Sequence, residues 1–186
     1  MNRITILCIK LLCVFGFLFS NYSHSGSHYN KSSHYYDSLY YKSLDYIKNE
    51  ELEKSIMLLE EIISKTRSYN DKDNILIMNS HYDLGQIYLS RALNYEIAIT
   101  HFEYIYNNVY AMYQSKESNS TMKSLLELKE KSLFMLGYVY HNHIGNFTVA
   151  QNYYITFLNK FPNNELSSSV EYELDLINQE ILNFRK

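Results

Sequence analysis

The sequence predicts an all-α fold, and three observations carry that expectation. One proline and five glycines in 186 residues leave few breakers of long helices. From Tyr35 onward apolar side chains recur at steps of three and four, the helical period, and no stretch alternates convincingly as a strand would. The interruptions of that pattern are built from Asn, Asp, Ser, Gly and Pro, which cap helices and make turns.

Each helix follows from those interruptions. Breaks at 48–51, 69–73, 93–95, 116–120, 145–147 and 161–164 cut the body into seven helices. They are expected near 35–48, 51–67, 73–91, 95–114, 121–142, 147–160 and 164–184. In the second, Leu52, Ile56, Leu59 and Ile63 form one stripe, while Glu53, Lys54, Glu60 and Glu61 fall largely elsewhere on the wheel. Short breaks make consecutive helices antiparallel neighbours, so most of them should pair as hairpins.

The front of the chain reads as an address. Residues 1–10 carry Arg3 and Lys10 with no acid, 11–19 form an unbroken apolar run, and 20–27 are small and polar. Positive, apolar, then small-polar is the layout of a secretory signal peptide, with Ser23 and Ser25 at a small-x-small cleavage position. The run is shorter than the roughly 20 residues that span a bilayer. Extending it back to Ile4 would put Lys10 mid-membrane at about 2.5–3.5 kcal/mol. Residues 1–25 are therefore expected to be a signal peptide or an N-terminal anchor, 26–34 a flexible lead-in and 35–186 the helical domain. Both cysteines, Cys8 and Cys13, lie in the leader, so the mature chain should have no disulfide and no cysteine nucleophile.

The formal net charge is -3, and without Arg3 and Lys10 the balance is 15 basic against 20 acidic residues, a net of -5. Such a surface repels a phosphate backbone, and no basic stripe overrides it, so nucleic acid is not an expected partner. Membrane contact is expected only through the leader, if it stays uncleaved. The 20 tyrosines with no tryptophan, beside abundant Lys, Asn and Ile, match the codon use of an A+T-rich genome. Tyrosine also suits half-buried helix surfaces, where the ring packs and the hydroxyl stays wet.

An internal repeat sharpens the expectation. Residues 84–108 align without a gap on 136–160: Leu84 on Leu136, Gly85 on Gly137, Tyr88 on Tyr140, Asn94 on Asn146, Ala98 on Ala150 and Phe102 on Tyr154. A weaker copy lies upstream, with Ser43, Tyr46, Ser55 and Leu59 at the small, aromatic, small and large positions, and Lys42 where a leucine is expected. Leu-Gly with a Tyr three residues on, a small residue early in the next helix, an aromatic four later and Pro162 at the end together resemble the tetratricopeptide repeat (TPR). The stretch 161–177 (FPNNELSSSVEYELDLI) is similar to bacterial envelope TPR proteins of the Tol-Pal coordinator and outer-membrane-assembly lipoprotein type.

The resemblance implies a TPR-like α-solenoid of about three helical hairpins plus a C-terminal capping helix. It assigns Leu84, Gly85, Tyr88, Ala98, Phe102, Leu136, Gly137, Tyr140, Ala150, Tyr154 and Pro162 to packing within and between hairpins. The small residues let two helices approach closely and the aromatics fill the groove beside them. Two departures stand out. The step from Gly to Ala is one residue longer than usual in both clear copies, which should enlarge the turn. Gly85 and Gly137 are 52 residues apart, against a usual period of about 34, with the excess around 110–124.

A search for chemistry finds none. His141 and His143, two apart on a helix, point in different directions and make a poor chelate. The clustered glutamates sit among lysines as a solvated face does, and there is no phosphate loop or nucleophile elbow. No catalytic residue, metal site or cofactor is expected. By TPR register the concave face would instead be lined by Tyr40, Leu44, Asn79, Tyr82, Gln86, Phe134, Tyr138, His141 and Asn142. An aromatic- and amide-rich groove suits a peptide or protein partner, with rings as anchors and amides on its backbone. The expected function is a non-catalytic scaffold or adaptor, exported to the periplasm or cell envelope. The alternative is a structural subunit using convex or terminal surfaces.

Overall fold

The helical periodicity is realised as helix in every described segment. In the computed structural model these segments are residues 31–66, 71–109 and 119–184. They hold α1 (Lys31–Lys48), α2 (Leu52–Lys65), α3 (Asp71–Ser90), α4 (Tyr95–Asn108), α5 (Asn119–Val139), α6 (Phe147–Lys160) and α7 (Ser167–Phe184). A π-helical turn, Tyr140–Ile144, continues α5. Among the described residues there is no strand, and no helix is long and apolar enough to cross a membrane.

Boundaries differ from expectation by one to four residues at most of the described ends; the helix expected over 51–67 spans Leu52–Lys65, for example, and the one expected from 73 begins at Asp71. The polar lead-in was expected to reach residue 34, but α1 already begins at Lys31, since nothing in Lys31–Ser33 breaks a helix. The helix expected from 121 begins at Asn119. The last helix begins at Ser167 rather than 164, because side chains hold the link after Pro162 in turns. The Leu166 N–H donates to Asn164 Oδ1 at 2.9 Å and Ser167 Oγ donates to the Phe161 carbonyl at 3.0 Å. The leader 1–25, both cysteines and the expected extension of α4 to 114 lie outside the described residues.

Each helix packs on the next in sequence, and α1 meets α3 while α3 meets α5. The chain thus forms three consecutive hairpins, α1–α2, α3–α4 and α5–α6, with α7 laid against α6. Tyr40, Leu59, Ile62, Leu76, Leu84 and Ile87 make the core of the first three helices, with Leu44 and Tyr88 partly buried against it. Further along, Ile105, Leu125, Leu133, Leu136, Tyr154, Phe157, Val170 and Ile177 are fully buried.

The hairpin turns are built alike. Each has one residue in the left-handed region: Glu50 (φ 60°), Leu93 (φ 52°) and Gly145 (φ 71°). The next amide closes the turn on a tyrosine carbonyl: Glu51 on Tyr46 at 2.9 Å, Asn94 on Tyr88 at 2.8 Å and Asn146 on Tyr140 at 2.9 Å. The second and third closures reach one residue further than the first, and the extra residue is absorbed by wider helical turns. The Ala92 N–H bonds five back to Ile87 at 3.1 Å, and the third hairpin has its π turn. Asn94 and Asn146 then cap α4 and α6, their side chains accepting from Ile97 and Val149 N–H at 3.2 Å each.

Candidate functional site

The repeat-assigned residues meet inside the hairpins. A Cβ on Gly85 would stand 2.7 Å from the Phe102 ring, and one on Gly137 would stand 2.4 Å from the Tyr154 ring. Neither position tolerates a side chain while the ring stays where it is. Leu84, Ala98, Phe102, Leu136, Ala150 and Tyr154 are fully buried. Tyr88 and Tyr140 are half-buried beside them, Tyr140 stacked on Tyr153 at 5.7 Å, and Pro162 is exposed in the α6–α7 link.

The residues assigned to the groove divide by register. Tyr40, Tyr82 and Phe134 each stand three residues before Ser43, Gly85 or Gly137, and all three are buried, at 6%, 7% and 5% exposure. The Tyr40 hydroxyl donates to Asp83 Oδ2 at 2.7 Å across α1 and α3. The Tyr82 ring meets Phe102 edge-on, and the Phe134 ring lies against Tyr138 and Tyr154. His141 is buried as well. Its Nδ1 lies 2.8 Å from Glu173 Oε2 and its Nε2 3.5 Å from Glu180 Oε2, both on α7. The expectation that Tyr40, Tyr82, Phe134 and His141 lie open to a partner is thereby corrected. Tyr40 is held against α3, Tyr82 and Phe134 pack on the second helices of their own hairpins, and α7 covers His141.

What stays reachable is the neighbouring row. Leu44 and Tyr138, one residue after Ser43 and Gly137, are half-buried, as is Asn79, and Asn142 is exposed. Gln86, at the same register after Gly85, has both amide atoms buried, so the expectation that it grips a partner is corrected as well. The Asn142 amide donates to the Tyr138 carbonyl at 3.2 Å and reaches Glu173 at 3.5 Å. Of the residues that stay reachable, Asn79 and Asn142 are polar, Leu44 is apolar and Tyr138 supplies the one ring.

Electrostatics follow burial. Burial pushes the Asp83 carboxyl up to about 6, although the Tyr40 hydrogen bond pulls the other way. Burial, with Glu173 nearby, raises the Tyr138 and Tyr154 phenols. Lys129, also buried, is pushed down to about 8 by desolvation and by Lys160, with its Nζ 4.9 Å over the Tyr106 ring. Among the described residues no three His, Cys, Asp or Glu side chains are placed to hold a metal ion.

Three polar pairings went unread in the sequence: Tyr40–Asp83, His141–Glu173 and His81–His101, whose Nδ1 atoms lie 2.9 Å apart. The repeat alignment held a signal for two of them. His81 aligns with Leu133 and His141 with Leu89, so each histidine occupies a position where the other copy buries a leucine. Comparison of the chain with protein-family models, with curated proteins and with solved structures finds no match.

Proposed function

We propose that the chain is a TPR-like α-solenoid, with α1–α2, α3–α4 and α5–α6 as its hairpins and α7 as the cap. In this reading it serves as a non-catalytic protein–protein interaction scaffold in the bacterial cell envelope. The observation that carries the reading is the duplicated close approach of Gly85 to Phe102 and of Gly137 to Tyr154. Matching left-handed turns and asparagine caps accompany it. Such a stack offers extended surfaces rather than a chemical cavity, and a peptide or protein is what such surfaces bind. Export rests on the leader-like front of the sequence.

The partner-facing set on the first helices is then Leu44, Asn79, Tyr138 and Asn142, whose two amides grip backbone while the Tyr138 ring anchors. The structural-subunit reading has its own support. Met57 on α2 and Ile155 on α6 are 69% and 49% exposed, and Tyr172 and Leu182 on α7 are 45% and 59% exposed. These apolar groups lie on the second helices and the terminal helix rather than on the first helices.

Affinity capture from envelope extract with the full-length chain separates the readings. An Asn79→Ala/Tyr138→Ala/Asn142→Ala variant should lose a partner that a Met57→Ser/Ile155→Ser variant keeps. The reverse pattern puts the structural-subunit reading ahead. If the unaltered chain retains nothing, the scaffold proposal fails.

A further inference from the structure

The α3–α4 hairpin carries two imidazoles in direct contact. His81 on α3 is 7% exposed and His101 on α4 is half-buried, with their Nδ1 atoms 2.9 Å apart. At that separation one nitrogen must donate and the other accept, so the pair shares one proton between these atoms. His81 Nε2 is buried and finds no partner among the described residues. A bare lone pair there costs less than an unpaired N–H. His81 is therefore the donor from Nδ1, and His101 carries its own proton on Nε2.

The rings are held in place on both sides. Tyr104 stacks on His81 with centroids 3.8 Å apart and 16° between planes, and Tyr88 lies parallel to His101 at 5.9 Å and 9°. We propose that this pair is an acid-opened lock on the α3–α4 hairpin. A further proton has two places to go, and both are opposed. On His101 Nδ1 it sets one N–H against another, and on His81 Nε2 it puts a charged donor where nothing accepts it.

The surrounding groups do not relieve this. From α4 the facing group is Tyr104, and from α3 it is Tyr88, whose hydroxyl feels Glu60 of α2. Burial is the main influence on both imidazoles, followed for His81 by His101; among the described residues no carboxylate of α2 or α5 offsets it. His81 is pushed down to about 3 and His101 is lowered. A lowered base stabilises the fold fully above its ordinary value near 6.5, and that stability drains away as pH falls toward the folded value. Acid therefore opens the hairpin between those limits. The lock stands on this geometry alone; only its effect on the α3 residue Asn79 rests on the function proposed above.

The repeat supplies the test. Leu133 and Tyr153 occupy the positions of His81 and His101 in the other copy, so His81→Leu/His101→Tyr replaces the pair with a combination this chain already packs. Amide exchange of the full chain, corrected for intrinsic rate, should show α3 and α4 opening about tenfold more per pH unit for each imidazole below 6.5. In the double variant the acid-driven opening should be lost, leaving only the opposite dependence that the raised Asp83 carboxyl imposes. Imidazole nitrogen spectra of the unaltered chain at pH 7.5 should show one protonated and one bare Nδ1. The proposal is overturned if the variant opens along the same pH curve, or if either imidazole takes a proton near 6.5 while α3 and α4 stay protected. Should the variant not fold, the spectra of the unaltered chain still decide.

Discussion

At the scale of the residue, burial rather than chemistry explains the unusual groups. Asp83 receives the Tyr40 hydroxyl at 2.7 Å, yet its carboxyl is pushed up to about 6 because it is enclosed between α1 and α3. A raised carboxylic acid disfavours the charged folded state. The contribution of Asp83 is therefore most favourable below the ordinary carboxylate value, and it is lost as pH rises from about 4 through 6. Asp83→Asn keeps an acceptor for Tyr40 and removes the charge. It should raise stability at pH 7.5 by on the order of 1–2 kcal/mol and leave it unchanged at pH 4, as urea denaturation at the two pH values would check. A loss of stability at pH 7.5 would mean that the charge itself holds Tyr40. This dependence runs opposite to that of the histidine pair and overlaps it below pH 6, so titrating Asp83→Asn beside His81→Leu/His101→Tyr separates the two.

At the scale of the element, the turns reveal which parts of the repeat are geometric necessity. Gly145 and Leu93 occupy the same register and the same left-handed conformation, but only one is glycine. A side chain in that region costs roughly 1–2 kcal/mol. Leu93 is 61% exposed, so little packing is lost with it. Leu93→Gly should therefore stabilise the chain by about 0.5–1 kcal/mol, and Gly145→Ala should destabilise it by a similar amount, since nothing lies near its missing Cβ but the conformation resists one. Thermal melts of both variants check the pair. If both shift in the same direction, the left-handed conformation is not what sets their stability.

At the scale of the whole molecule, α7 closes one end of the helical array. It buries Val170 and Ile177 and supplies Glu173 to His141, whose side chain is only 4% exposed. Deleting residues 165–186 would remove that apolar burial, about 3–5 kcal/mol, and expose His141 and the face that α7 covers. The melting temperature should fall by roughly 10 °C for a domain of this size. A truncated chain that melts unchanged would show that α7 is an appendage rather than part of the core.

Helix positions, the asparagine caps and the duplication of the α3–α4 hairpin in α5–α6 were determined by the sequence itself. Those features depend on residues within a few turns of one another, and local backbone chemistry is legible in one dimension. The enlarged turns were legible too, from one extra residue between Gly85 and Ala98 and between Gly137 and Ala150. The side of each helix that is covered was not legible. The rings of Tyr40, Tyr82 and Phe134 belong to a stripe that could face a partner or a neighbouring helix. Only the tertiary contacts, Tyr40 with Asp83 of α3, Tyr82 with Phe102 of α4 and Phe134 with Tyr154 of α6, decided for the neighbour. The same holds for His141, which read as a polar residue at a helix end until α7 brought Glu173 from 32 residues away. Periodicity marks the face a helix must bury, but what buries it is settled by contacts between segments distant in the chain, and only the tertiary structure contains those.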